Sequence, residues 1–356
     1  MTSLSLLTPR RSPILPRIVS YAVLGIAFLA SRPAFAQQLP DVIADVGAEY
    51  AELYLQPVVN AFGADINAGL IHTAKVGGGA LPFDLFLGVK VMGALIPEVD
   101  RTLDIAYETP YTFHAPDGNR YDLPVTFRIN DGPTVFGDTS PGIVTGTVRQ
   151  TVHPGADGLD NTPDDIVVDS TLSFNVLPGL YDGSIAPLAI PQLGIGSLAG
   201  TDLIVRYLPR VSDENYGHLQ FVGIGLRHSV DRYIPGLPFR IAGHFMMQRL
   251  LITNSASEEI LTTSSIAAGV ALSKTFVFLT LYAGIQTEET TVNVDYTFGE
   301  ELSAVEGENV SFELAGDTTL RGMAGASLKL GPFLVNVEAS QGNHRTVLTA
   351  GVGLAL

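Results

Sequence analysis

The sequence predicts an all-β fold: an antiparallel transmembrane β-barrel of about 14 strands, with 12 as the alternative, preceded by a short N-terminal helical hatch. Three observations carry that expectation. The first 36 residues are built like an export signal. Beyond them, apolar and polar residues alternate over runs of about ten positions, the length a tilted strand needs to cross a bilayer. Tight turns also alternate with long acidic tracts, as short periplasmic turns alternate with longer extracellular loops in such barrels.

In residues 1–36, Arg10, Arg11 and Arg17 precede the apolar run IVSYAVLGIAFLA, and Ala34-Phe35-Ala36 supplies a small-residue cleavage site before Gln37. The apolar run is short for a membrane span, so it reads as a signal peptide. Residues 37–80 form the next segment. Within Asp41–Phe62, Val42, Val46, Tyr50, Leu53 and Tyr54 recur at helical spacing, and Pro57 marks a break or the start of a second helix. This hatch is either an amphipathic helix packed at the surface or periplasmic side, or a plug inside the lumen. Residues 81–356 make the barrel.

The strands share one design. Leu85, Leu87, Val89 and Val91 oppose Asp84 and Lys90; Leu203, Val205 and Tyr207 oppose Asp202 and Arg206; Phe239, Ile241, Phe245 and Met247 oppose Arg240, His244 and Gln248. Toward the end, Leu320, Ala324, Ala326 and Leu328 oppose Arg321, Met323, Ser327 and Lys329, and Leu348, Ala350, Val352 and Leu354 oppose Thr349, Gly351 and Gly353. A charge on nearly every polar face is costly in a dry interior, so that face is expected to be wet and the apolar face to meet lipid.

Composition narrows the function. The chain carries a formal charge of −16, and four of its 20 basic residues, Arg10, Arg11, Arg17 and Arg32, lie in the signal, so the remainder is more negative still. Nucleic acid needs a basic surface and is not an expected partner. With no cysteine there is no disulfide framework and no thiolate metal site. No later run of about 18 apolar residues exists, which excludes an α-helical membrane protein. Tryptophan is absent, so an aromatic girdle would rest on Tyr and Phe.

Four stretches, YLQPVVNAFGADINAGLIHTAKV, PTVFGD, PQLGIGSLAGTDLIVRYLPRV and FVGIGLRHSVDRYIPGLPFRI, resemble an uncharacterised family of Gram-negative outer-membrane proteins classed as a domain of unknown function. The resemblance covers most of the chain after the signal and implies an outer-membrane barrel, without a substrate or catalytic residue. The helix-then-barrel layout is similar, more distantly, to the fatty-acid and aromatic-hydrocarbon transporter barrels, and implies by analogy a hatch that plugs the lumen.

No catalytic motif emerges: there is no GxSxG, HExxH or GxxxxGK[ST], and the protein is not expected to be an enzyme. His228 and His244 are the only histidines expected on neighbouring strands, and a third metal ligand is missing. Arg206, Arg210, Arg227, Arg232, Arg240 and Arg249 form the most basic stretch, with Asp202 and Asp231 as partners. They read either as a lumen patch for a carboxylate or phosphate, or, by preference, as a salt-bridge ladder that packs the lumen. Asp157, Asp160, Asn161, Asp164 and Asp165 offer calcium-type oxygens, yet position six of a loop from Asp157 is Thr162 rather than the EF-hand glycine, so a solvated acidic turn is the simpler reading.

The function expected is passive passage of small hydrophobic or amphipathic molecules through a plugged outer-membrane barrel; the alternatives are a structural or surface-interaction barrel and, behind it, an outer-membrane enzyme. Tyr50, Leu53 and Tyr54 would close an apolar pocket while Arg206, Arg227, Arg240 and His244 would offer polar anchors. Outer-membrane lipid is the expected surrounding, and no cofactor is required.

Overall fold

The structure is a computed structural model describing residues 40–77, 84–114, 120–153, 162–163, 165–213, 217–253, 259–297 and 309–356. The signal segment lies outside them. Among the described residues one α-helix, α1 (Pro40–Ile66), precedes fifteen strands. These are β1 (Asp84–Leu95), β2 (Thr102–His114), β3 (Arg120–Pro133), β4 (Ile143–His153), β5 (Ile166–Asn175), β6 (Ile185–Leu198), β7 (Thr201–Asp213) and β8 (Gly217–Ser229). After them come β9 (Arg240–Thr253), β10 (Glu259–Phe276), β11 (Leu279–Thr297), β12 (Asn309–Ala315), β13 (Leu320–Leu330), β14 (Phe333–Gly342) and β15 (Thr346–Ala355).

Ten strands close an antiparallel wall in the order β1-β6-β7-β8-β9-β10-β11-β13-β14-β15, with β15 returning to β1. The other five leave it. β2 to β5 form a separate four-stranded sheet inserted between β1 and β6, and β12 pairs with the upper half of β11, above the stretch that β13 takes. The chain therefore has close to the expected number of strands, with fewer of them in the wall, because alternation marks a two-sided strand without saying which sheet it joins.

The wall is apolar outside. Leu87, Val89, Val91, Ile224, Leu226, Met247, Ile266, Val270, Ile285, Val335, Val337 and Val352 are all exposed, and Val89 stands opposite Val352 across the β1–β15 seam. Its inner face carries the polar partners: Lys90, Arg206 and Arg321 are fully buried, with Gln248, Gln286, Glu288, Asn336 and Glu338 nearly so. A soluble sandwich would bury the first set and expose the second, so this inverted distribution makes the wall a membrane barrel of the outer-membrane type. Among the described residues no helix is long and apolar enough to cross a membrane.

Chain direction separates the two ends. Turns Ala199–Gly200, Val277–Phe278 and Gly331–Pro332 lie at the end where β1 begins and β15 finishes, and Leu356 N–H donates to the Leu85 carbonyl there. The four-stranded sheet stands at the other end. Short turns mark the periplasmic end of such barrels and larger connections the outer one.

A plugged lumen and its inner mouth

α1 is one unbroken helix of 27 residues that runs through Pro57. Proline cannot donate along the helix, and nearby backbone is supported from outside it: Val135 N–H donates to the Tyr54 carbonyl at 3.3 Å. The helix starts at the outer end, where Tyr54 Oη donates to the Pro178 carbonyl at 2.8 Å, Tyr50 Oη to the Leu177 carbonyl at 3.4 Å, and Gln56 Nε2 to the Ala315 carbonyl at 2.9 Å. It descends into the lumen, and residues 67–77 continue to the inner end, where Ala74 N–H donates to Ser273 Oγ and Gly77 N–H to Asp84. Of the two sequence readings of the hatch, the plug is the one this geometry has.

The last carbonyls of a helix lack intrahelical donors and carry its negative dipole end. The last turn of α1 has no basic residue of its own, and the wall supplies the cations. Arg206 on β7 donates from Nη1 to the Ile66 carbonyl at 2.7 Å, from Nη2 to the Ala68 carbonyl at 2.8 Å, and to Gln192 and Gln248 on β6 and β9. Arg321 on β13 donates to the Ala64 carbonyl at 2.9 Å while holding Glu288 on β11 with two nitrogens. Glu338 on β14 accepts Gly69 N–H at 3.1 Å. Gly69 has a φ of +64°, and a Cβ there would stand 2.7 Å from Thr349 Cγ2, so only glycine fits this contact. Asn67 takes bonds from Gln248 and Ser265.

The polar face of the barrel is thus not wet where α1 sits. Its charges point inward as the alternation requires, but the plug's backbone, rather than water, satisfies them. Lys90 shows how tightly: its Nζ donates to Asn336 at 2.7 Å, and a Cβ on Gly351, its cross-strand neighbour, would sit 2.8 Å from the lysine chain.

Asp65, in the last turn of α1, has no exposed surface and no hydrogen-bond partner on either carboxylate oxygen. Burial pushes its carboxyl well above the ordinary range, against the lowering pull of the Arg321 charge. Nothing in the sequence pattern distinguished this residue.

The sequence-predicted residues fall into two groups at opposite ends. Tyr50 and Tyr54 stack at 5.7 Å under the outer sheet, and Leu53 is 38% exposed, so the three do not close a lumen pocket. Arg227 and Arg240 lie at the inner mouth, so they cannot share a site with the tyrosines. Arg227 pairs with Asp202 and donates to the Thr73 carbonyl at 2.6 Å; Arg240, largely exposed, reaches Asp231 at 2.8 Å. Arg206 is the central lock described above. His244 faces the lumen, with Nε2 3.2 Å from Gln286, whereas His228 faces away and contacts Thr201 and Tyr233, so the two do not form a metal pair. Arg249 pairs at the outer end with Glu259 at 3.7 Å. The arginine stretch is therefore a set of local locks rather than one patch.

Of the calcium candidates, Asp157, Asp160, Asn161 and Asp164 lie outside the described residues; Asp165 accepts bonds from Thr162 N–H and Oγ1, an ordinary acidic turn. Among the described residues no cluster of three or more His, Cys, Asp or Glu side chains could hold a metal.

Between residues 70–77 and the wall, a cavity of about 520 Å³ opens at the inner end. Its floor is apolar, with Leu70, Phe86 and Ile204, and its rim carries Lys75, Arg227, Arg240 and Lys329.

The family of unknown function DUF6588 matches residues 16–356. This chain belongs to that family. No curated protein sequence matches it. Among solved structures, Ail, the attachment invasion locus protein of Yersinia pestis, is 10% identical, with 78% of this chain and all of Ail covered at a TM-score of 0.24. A loop-deletion form of OmpT, an outer-membrane protein of Vibrio cholerae, is 12% identical, covering 77% of this chain and 98% of OmpT at 0.25. The porin KdgM, solved with oligogalacturonate, is 15% identical over 47% of this chain and 91% of its own length at 0.24. The family member described here is an outer-membrane β-barrel by its own inverted wall.

Proposed function

We propose that the protein is a plug-gated outer-membrane barrel that passes small hydrophobic or amphipathic molecules when residues 40–77 yield, and is shut otherwise. The carrying observation is the polar part of the plug–wall contact: hydrogen bonds join residues 64–70 to β6, β7, β9, β13 and β14, beside apolar packing of Leu55, Val59 and Ile66 in one cluster with wall side chains such as Met92, Phe221 and Leu250. Water can replace the hydrogen bonds when the plug moves and hydrate the charged part of the lumen, while the apolar contacts set the cost of opening and keep the plug seated at rest. The second reading is a structural or surface-interaction barrel, favoured by the filled lumen and the four-stranded outer sheet.

The chain has no cysteine, which permits a clean test. Thr73 Oγ1 on the plug and Ser273 Oγ on the wall are 3.3 Å apart, a separation suited to a disulfide in the variant Thr73→Cys/Ser273→Cys. In liposomes, the reduced variant should pass small solutes like the wild type, and the oxidised variant should not. Absence of flux in the wild type and both forms would remove transport and leave the surface-interaction reading; equal flux in both forms would show a route that ignores the plug.

A further inference from the structure

We propose that the inner-mouth cavity is a binding site, facing the periplasm, for a small organic anion with an apolar tail. This goes beyond gating, because it requires the cavity and not movement of the plug, and it can stand if gating fails.

Four observations converge. The cavity is large enough, at about 520 Å³, to enclose a medium-chain acyl group. Its inner surface is divided by chemistry: Leu70, Phe86 and Ile204 are buried apolar side chains on the plug, β1 and β7. At the opening stands Lys329, which alternation along β13 aims inward beside Ser327; its side chain is exposed and, among the described residues, has no carboxylate partner. Arg227 adds a second positive charge, fixed in place by Asp202.

The fourth observation is a buried polar atom without a partner. His72 lines the cavity, is 8% exposed and packs on Phe86 at 4.7 Å between ring centroids, and its Nδ1 has no hydrogen-bond partner. Asp202 is 3% exposed in the same lining; its Oδ1, the oxygen not held by Arg227, is unpartnered as well, but it is an acceptor and takes no bond from a carboxylate ligand. Buried polar atoms in folded proteins are ordinarily satisfied, so the open ring nitrogen of His72 in this cavity marks a place where a bound group completes the set. Burial and the charges of Lys90, Arg227 and Lys329 hold His72 well below its ordinary pKa, so it is neutral and offers Nδ1 to a ligand without adding charge.

A carboxylate at Lys329 and Arg227 with its tail against Phe86 and Ile204 would use each of these features. The same chemistry could come from a free fatty acid or from an anionic phospholipid of the inner leaflet, and the test separates them. Wild-type protein in phosphatidylcholine nanodiscs is titrated with octanoate, with acetate and octanol as head-only and tail-only controls, and with Lys329→Gln as the variant. Saturable octanoate binding, weakened about tenfold by Lys329→Gln as loss of one charge-assisted contact implies, with neither control competing, supports the site. Competition by phosphatidylglycerol in the nanodisc assigns the anion to lipid, and its failure to compete assigns it to a free carboxylate. Octanoate uptake that does not saturate, or that octanol and Lys329→Gln reproduce in full, overturns the proposal. Lys329 is exposed, so the variant is expected to fold, and a native heat-modifiable migration checks that it does.

Discussion

Replacing Arg206 with methionine should release the plug without unfolding the barrel. Arg206 has no exposed surface and makes four hydrogen bonds, two to the plug carbonyls of Ile66 and Ala68 and two to Gln192 and Gln248 on the wall. Methionine fills similar volume but leaves the Ala68 carbonyl and both glutamine oxygens short of a donor, and Glu338 loses a nearby positive charge. Removing one partner of a buried charged network typically costs about 3–5 kcal/mol. Every 1.4 kcal/mol is a factor of ten, so the docked-to-undocked ratio of the plug should fall by about two to four orders of magnitude. The ladder between β6, β7 and β8 is backbone-made and should stay intact. Hydrogen exchange in lipid nanodiscs is the assay: amides of residues 54–66 should lose protection by that factor while those of β1 and β15 keep theirs. Arg206→Lys should recover only part of the loss, because an ammonium cannot span both carbonyls and both glutamines as the planar fork does. Arg149→Met, at an exposed pair with Asp169, is the control and should change nothing measurable. Unchanged protection of α1 in Arg206→Met would refute the reasoning that the wall holds the plug by its carbonyl end.

Three further outcomes are expected. Val352→Arg, on the outer face at the level of Val89, should destabilise the folded barrel in bilayers by about 2–4 kcal/mol, measured by denaturant refolding, whereas Val352→Leu should be neutral; equal stability of the two would contradict the lipid-facing register. In this cysteine-free chain, a Cys at exposed Glu49 should react with a membrane-impermeant maleimide on intact cells and one at Val277, 94% exposed in an inner-end turn, only after permeabilisation; the reverse pattern would invert the barrel. The folded-state pKa of Asp65 is raised, so its contribution to plug docking is complete below the unfolded carboxylate value near 3.8 and is lost as pH rises through the raised value. Protection of α1 should accordingly fall with pH above about 4 in the wild type and stay level in Asp65→Asn, and parallel profiles for the two would exclude Asp65 as the titrating group.

The strand pattern by itself determined which residues of each strand face together, because a two-residue period admits only two registers and charges on one of them exclude a soluble core. Lys90, Arg206 and Arg321 were legible as inward-facing from that alternation, and Val89 and Val352 as outward-facing, since each of these placements depends on neighbours two positions away. The helical period of Val42, Val46, Tyr50 and Tyr54 likewise made α1 visible. Only tertiary structure decided that the inward face is dry. Whether a lumen charge meets water or a carbonyl depends on contacts such as Arg206 with Ile66, 140 residues apart, and Arg321 with Ala64, 257 apart, which no local period encodes. The same holds for the separation of Tyr54 from Arg227 to opposite ends of the barrel, for the departure of β2 to β5 from the wall, and for the unpartnered atoms of Asp65, His72 and Asp202. These follow from where the chain crosses itself, and a free energy of burial is a property of that crossing rather than of any segment alone.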